Sequence, residues 1–228
     1  MKFIVFGLGN FGRALAVRLT ELGHEVVGVD NDMQKVNKLK EKITHTVCMD
    51  CTDRDAVSTL PLKDAHAVVV AIGEDEASSL LTTALLKQLN IRRIIGRVVS
   101  DLQKTVLQAM EIDDNILPEE ESAERLAVRL TDSSIIDSFK VSERFSIIEV
   151  VTPDKFVGKT VEETNITRNY EVIVLTILTL FRSSQDGFTK TYRNAKGIAT
   201  PDTVIQHGDV LVLFGELVNI NRMLQDAQ

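Results

Sequence analysis

A chain of 228 residues, 44% hydrophobic and 26% charged, is long enough for two modest domains that each bury a core, and it has the composition of a folded globular protein. A formal net charge of −7 offers no basic surface for nucleic acid, which is therefore not an expected partner. The most apolar run, VIVLTILTLF at 172–181, is too short for the roughly 20 residues of a membrane-spanning helix, and the N-terminus lacks a signal-peptide pattern. The expectation is a cytoplasmic protein that does not itself span a membrane.

Taken in chain order, KFIVF (2–6) predicts a strand, and residues 11–22 a helix with Leu15, Leu19 and Leu22 on one face and Gly23 as its left-handed stop. HEVVGVD (24–30) is the second strand, and Met33, Val36, Leu39 and Ile43 stripe the next helix. HTVCM, DAHAVVVAIG and RRIIGRVV supply three more strands between helices around 53–60, 77–89 and 102–110, and NILP (115–118) a sixth at the edge. Strands alternating with helices predict a doubly wound parallel sheet of Rossmann-like type.

From Glu119 the stretch EEESAERLAVRLTDSSIIDSF predicts one helix running to residue 139, with Leu126, Leu130, Ile135, Ile136 and Phe139 as surplus apolar surface for a partner. Beyond it the strands FSIIEVV, YEVIVLTIL and DVLVLFGE, a turn at PDKFVGKT, a loop or hairpin over 182–200 and a short final helix predict a small α+β domain. The expected division is 1–118, a helix and linker at 119–141, and 142–228.

The stretch GLGNFG at 7–12 has the spacing G-x-G-x-x-G, follows a predicted strand and opens a helix; Asp30 closes the second strand 18 residues later. This is the arrangement of a dinucleotide fold: Gly7 makes the turn, Gly9 lets backbone approach a pyrophosphate, Gly12 lets helix and strand pack, and the helix N-terminus faces phosphate. A carboxylate at Asp30 suits a free ribose 2′-hydroxyl and repels a 2′-phosphate, which favours NAD(H), AMP, ADP or ATP over NADP(H). Cys48 and Cys51, the only cysteines, are expected as reduced thiols, since beyond His45 no further zinc ligand is near. None of His24, His45, His66 and His207 stands where proton transfer would be needed. A nucleotide-binding protein that is not an enzyme is expected, with an NAD-dependent oxidoreductase of a small metabolite as the alternative.

FIVFGLGNFGRALAVRLTELGHEVVGVDND, AIGEDEASSLLTTALLKQL, ILPEEESAERLA, GKTVEET and PDTVIQHGDVLVLFGE together resemble the cytoplasmic RCK/KTN regulatory subunits of bacterial potassium transporters, of the TrkA and KtrA type, over nearly the whole chain. The resemblance implies an RCK N-terminal domain, a crossover helix and a small RCK C-terminal domain. It also implies a nucleotide-sensing subunit that dimerises, assembles as a ring, and changes ring shape to gate a membrane-embedded potassium transporter at the inner face of the cell membrane. Carried onto this chain, Gly7, Gly9, Asn10 and Gly12, with neighbouring Phe11, cradle phosphate; Asp30, beside Asn31, holds the ribose; Asp50, Cys51 and Thr52 lie by the adenine; and Ala71, Gly73 and Arg97 approach the phosphates. KtrA-type members often carry arginine where Asn10 stands, so NAD(H) and ADP/ATP both remain as ligands. Glu119 has two readings: a ligand to a divalent cation at the dimer interface, as the resemblance implies, or an acidic residue favouring a helix N-terminus.

Overall fold

In a computed structural model, residues 1–112, 114–185 and 188–227 are described, and they form two compact units, Met1–Glu120 and Glu121–Gln228. The first contains β1 (Lys2–Phe6), α1 (Asn10–Glu21), β2 (Glu25–Asp30), α2 (Met33–Leu39), β3 (His45–Cys48), α3 (Arg54–Ser58), β4 (Ala67–Val70), α4 (Glu76–Gln88), β5 (Ile94–Arg97), α5 (Asp101–Ala109) and β6 (Asn115–Ile116). The strands pair in parallel in the order β3-β2-β1-β4-β5-β6, so the expected doubly wound sheet is present, with NILP contributing its edge. The order reverses between β1 and β4, where such a sheet opens a crevice at the carboxyl ends of its strands.

Both faces of the sheet are covered. Ile4, Phe6, Val68 and Val70 pack with Val57, Leu86 and Leu107 of α3, α4 and α5, while Val5 and Val69 pack with Ala16, Val36 and Leu39 of α1 and α2. Each fully buried Ile or Phe side chain contributes about 1.5–3 kcal/mol, which is why β1 and β4 are apolar on both faces rather than alternating. Gly23 takes the left-handed conformation expected of it, with φ +81°. Leu22 and Met33, expected on the apolar stripes, are instead exposed, Leu22 as the C-cap of α1 and Met33 as the first residue of α2.

The helix expected over 120–139 is corrected. It spans α6 (Pro118–Thr131), and the chain then enters β7 (Ile135–Lys140), antiparallel to β8 (Phe145–Val151). Ile135, Ile136 and Phe139 fit a helical stripe as well as a strand, and pairing with β8 decides for the strand. Ile135 is consequently a core residue of the second unit, whereas Leu126 and Leu130 on α6 and Phe139 on β7 are exposed.

The rest of the second unit is α7 (Val161–Thr164), α8 (Ile166–Tyr170), β9 (Ile173–Gln185), β10 (Phe188–Ala195), β11 (Asp209–Glu216) and α9 (Leu217–Asp226). Its sheet runs β10-β9-β11-β8-β7, antiparallel throughout, over a core of Ile148, Val150, Ile177, Leu211, Leu213 and Ile220. Within the segment expected as a loop or hairpin at 182–200, β9 continues to Gln185 and pairs with β10; residues 186 and 187 lie outside the described residues. The two short helices α7 and α8 fill the stretch between the expected turn at 153–160 and the expected strand from Tyr170, to which no element was assigned. Thr160 and Glu163 form a complete capping box there, a T-x-x-E signal visible in the sequence.

Candidate functional site

A cavity of about 370 Å³ opens at the carboxyl ends of β1, β2, β4 and β5. Its floor is the glycine loop. Gly7 has φ +91°, and a Cβ there would come within 2.9 Å of the Ile72 backbone nitrogen; a Cβ on Gly12 would sit 1.9 Å from the Gly7 carbonyl oxygen. Those two glycines are thus required by the protein's own packing. Gly9 is different, for a Cβ on it meets no protein atom within 4 Å, so its freedom serves close approach from the cavity side. Gly9 also caps α1 without a side-chain acceptor, and the first turn carries no acidic residue. The opening N–H groups of α1 and its positive dipole end are therefore free of a competing carboxylate, as an anion site requires.

Asp30 ties this loop to the end of β2. Its Oδ2 accepts from the Leu8 N–H at 2.7 Å and its Oδ1 from the Asp32 N–H at 2.9 Å, and the residue is 5% exposed. Each oxygen keeps a second lone pair for a hydroxyl in the cavity. The carboxylate thus positions the glycine loop and lines the cavity, a double role that spacing alone does not reveal. Asp50 is folded in the same manner, its Oδ1 accepting from the backbone N–H and the hydroxyl of Thr52 at 2.8 and 2.7 Å. Those bonds, backbone first, hold its carboxyl below the usual range.

Cys51 is buried, and burial first, then the nearby charges of Asp30 and Asp50, push its thiol up to about 12. It is a neutral wall of the cavity rather than a nucleophile. Both cysteines are free thiols, and Cys48 Sγ points to the Asn31 carbonyl at 3.5 Å. Among the described residues no cluster of three or more His, Cys, Asp or Glu is placed to hold a metal ion.

On the far side the Arg97 guanidinium lies against Gly73, where a Cβ would fall 2.5 Å from Nη1, and 5.8 Å from the centre of the Phe11 ring. Nη1 donates to the Ala71 carbonyl at 3.4 Å, Nη2 pairs with Glu119, and the buried Nε has no partner among the described residues. Of the expected residues, Gly7, Gly9, Asn10, Asp30, Asn31, Asp50, Cys51, Ala71, Gly73 and Arg97 line the cavity. Phe11, Gly12, Thr52 and Glu119 do not: they support Arg97, Gly7, Asp50 and Arg97 respectively. Lining residues that sequence reasoning missed are Lys35, Ile72, Glu74, Asp75 and Ser78. Lys35 and Glu74 pair at 3.3 Å, and Asp75 caps α4 by accepting from the Ser78 N–H at 3.1 Å. The cap was legible, since Asp75 precedes a helical run; Lys35 was not, being brought in by packing of α2.

The TrkA-N domain family matches residues 3–118, and the TrkA-C domain family matches residues 145–226. The chain belongs to the TrkA-N/TrkA-C family. Within this family, Ktr system potassium uptake protein C of Bacillus subtilis is 30% identical to it over 223 residues, 97% of this chain and 95% of that relative. Two solved structures are similar in fold to this TrkA-N/TrkA-C chain over its full length. The GsuK RCK domain has a TM-score of 0.65 at 18% identity, with 48% of that chain covered. The GsuK channel bound to NAD has 0.62 at 17% identity, with 40% covered. The chain thus spans about half or less of the length of those two structures, and at such identity the likeness establishes architecture.

Proposed function

We propose that this chain is the nucleotide-sensing regulatory subunit of a potassium uptake system, taking NAD(H), ADP or ATP into its cavity and changing the shape of its assembly with the ligand. The observation that carries the reading is a nucleotide-shaped glycine loop, open at Gly9, in a chain matched nearly end to end by a protein named for potassium uptake. On this reading Gly7, Gly9, Asn10, Phe11 and Gly12 form the phosphate cradle, and Asp30 with Asn31 faces the ribose. Asp50, Cys51 and Thr52 border the adenine, and Ala71, Gly73 and Arg97 meet the phosphates. The partner is a membrane-embedded potassium transporter, and the chain works as a homodimer assembled into a ring at the cytoplasmic face of the membrane. Among the described residues no helix is long and apolar enough to cross a membrane.

A divalent cation at Glu119, shared with its symmetry mate, belongs to the same reading; there Arg97 engages Oε1, and the cation would share the carboxylate with it or displace it. A ligand shifts an assembly only by its difference in affinity for two shapes, and about 1–3 kcal/mol of such coupling makes a useful switch.

No histidine lines the cavity, and its lysine, Lys35, is paired with Glu74. His24 and His66 flank Phe3 at the amino ends of the strands, the opposite edge of the sheet. The geometry therefore favours sensing over hydride-transfer chemistry. Calorimetry with NADH, NAD, ADP, ATP and NADPH tests the reading: adenine nucleotides should bind, and NADPH more weakly than NADH. Equal affinity for NADPH would overturn the ribose role of Asp30, and binding of none of them would overturn the whole. Turnover of a carbonyl or hydroxy substrate by bound cofactor would replace it with the oxidoreductase. Light scattering should find a dimer or larger ring, not a monomer.

A further inference from the structure

Arg97 has contacts on two sides. It ends β5 on the cavity wall, its side chain is 15% exposed, and its head is fixed by Gly73, the Phe11 ring and the Ala71 carbonyl. Its ion-pair partner Glu119 is not on that wall. Glu119 lines a separate recess of about 90 Å³ beside Val99, Ser100 and Leu117, and its own side chain is 64% exposed. Glu119 is also the second residue of α6, the helix in which the chain leaves the first unit. One guanidinium thus has the cavity on one side and the first turn of α6 on the other.

A guanidinium binds one planar bidentate anion well and two anions less well, since each competes for the same few N–H donors. Arg97 gives one N–H of Nη1 to a carbonyl and one of Nη2 to Glu119. A bidentate anion on the cavity side competes with Glu119 for the Nη2 edge and for the single positive charge, and the Glu119 carboxylate, itself largely exposed, is the partner that water can most readily take over. The exchange depends on the ligand's charge. A terminal phosphate carries about −1.5 to −2 and three acceptor oxygens, whereas each phosphate of a dinucleotide is a diester with a single charge.

We propose that Glu119 is an internal competitor for the nucleotide's terminal phosphate at Arg97. A ligand ending in a phosphate, such as ADP or ATP, takes the guanidinium from the first turn of α6, while NAD(H) leaves the Arg97–Glu119 pair closed. The inference rests on the nucleotide reading of the cavity. It makes Arg97 the residue that distinguishes ligands by phosphate charge, and the start of α6 the element that registers the difference.

The test is calorimetry on the full chain in EDTA, which removes any cation from Glu119, with adenosine, ADP, ATP and NADH titrated into wild type, Glu119→Gln, Arg97→Gln and the double variant. Removing the competitor in Glu119→Gln should tighten ADP and ATP about two- to fivefold and leave adenosine and NADH unchanged. On the Arg97→Gln background the Glu119→Gln change should have no effect, as a double-mutant cycle requires of a contact that acts through Arg97. Hydrogen exchange supplies an independent readout: amides at 119–123 should exchange faster with ADP bound than with NADH bound. Equal ADP affinity in wild type and Glu119→Gln, or an equal effect of that change with and without Arg97, overturns the inference while leaving the nucleotide reading intact. Failure of wild type to bind any of the four overturns that reading and this inference with it.

Discussion

The two units of the chain both bury apolar cores, and they differ in where their buried and half-buried carboxylates find partners. In the first, short parallel strands end together at one edge, and the carboxylates there turn inward onto backbone: Asp30 takes the N–H groups of Leu8 and Asp32, Asp50 that of Thr52, and Asp75 that of Ser78. In the second, the antiparallel strands reach 13 residues, and ion pairs link them, Arg193 of β10 with Glu149 of β8 and Lys196, just past β10, with Asp209 of β11. The difference teaches where a ligand can be taken. In the first unit the two cations on the cavity wall, Arg97 and Lys35, are paired with the exposed carboxylates of Glu119 and Glu74, whereas in the second Lys196 is paired with the buried Asp209.

The sharpest way to break this comparison is at the glycine loop. Gly12→Ala drives a Cβ into the Gly7 carbonyl and should destabilise the first unit by about 3 kcal/mol, read as a lowered denaturant midpoint. A Cβ at Gly9 meets no protein atom within 4 Å, so Gly9→Val should cost only about 1 kcal/mol, as a change of helix cap does, yet abolish nucleotide binding in calorimetry. If both variants unfold alike, the cavity side of the loop is packing and not an approach for a ligand.

In the second unit the matching cut is Asp209→Ala. Asp209 is 1% exposed and accepts from Lys196, the Gln206 N–H and Thr179. Its loss should cost about 2 kcal/mol in chemical denaturation while leaving ligand affinity in the first unit unchanged. A fall in nucleotide affinity would show that the two units do not divide their work as described.

Alkaline pH should separate the units more gently. The Cys51 thiol is raised to about 12 in the folded chain against an ordinary 9.0, so folding favours its protonated form. The stability this adds is complete below pH 9.0 and is lost as pH rises from there through about 12. Wild type should therefore lose on the order of 1 kcal/mol more than Cys51→Ala between pH 8 and 10.5, measured by urea unfolding. Below pH 9 the folded protein should resist thiol labelling at Cys51. The smallest effect is expected of Glu74→Gln, which frees Lys35 from an exposed pair and should change stability by under about 0.5 kcal/mol.

Much of the site was legible because its signals are local. Gly7, Gly9, Gly12 and Asp30 stand at spacings that a strand, a tight turn and a helix impose on any such loop, whereas Ala71 and Gly73 came only with the family resemblance, and Arg97 with it and with its place at the end of a strand. Lys35 and Glu74 were not legible, being 39 positions apart and joined only when α2 and the loop after β4 pack beside one another. Nor was the tie from Asp30 to Leu8, since a carboxylate at a strand end reads the same whether it faces ligand or loop.

The sequence by itself determined the alternation of strands and helices, the parallel sheet, the glycine turn and the acidic close of β2, because periodicity and turn chemistry act within a few residues. Tertiary structure alone decided that 135–140 is a strand, that Ile135 enters a core, and that Arg97 is shared between a cavity and Glu119. The physical reason is one of range. Helix and strand preferences differ by under about 1 kcal/mol per residue, so a partner strand such as β8, or an arginine meeting a glutamate 22 positions away, outweighs what neighbours along the chain can specify.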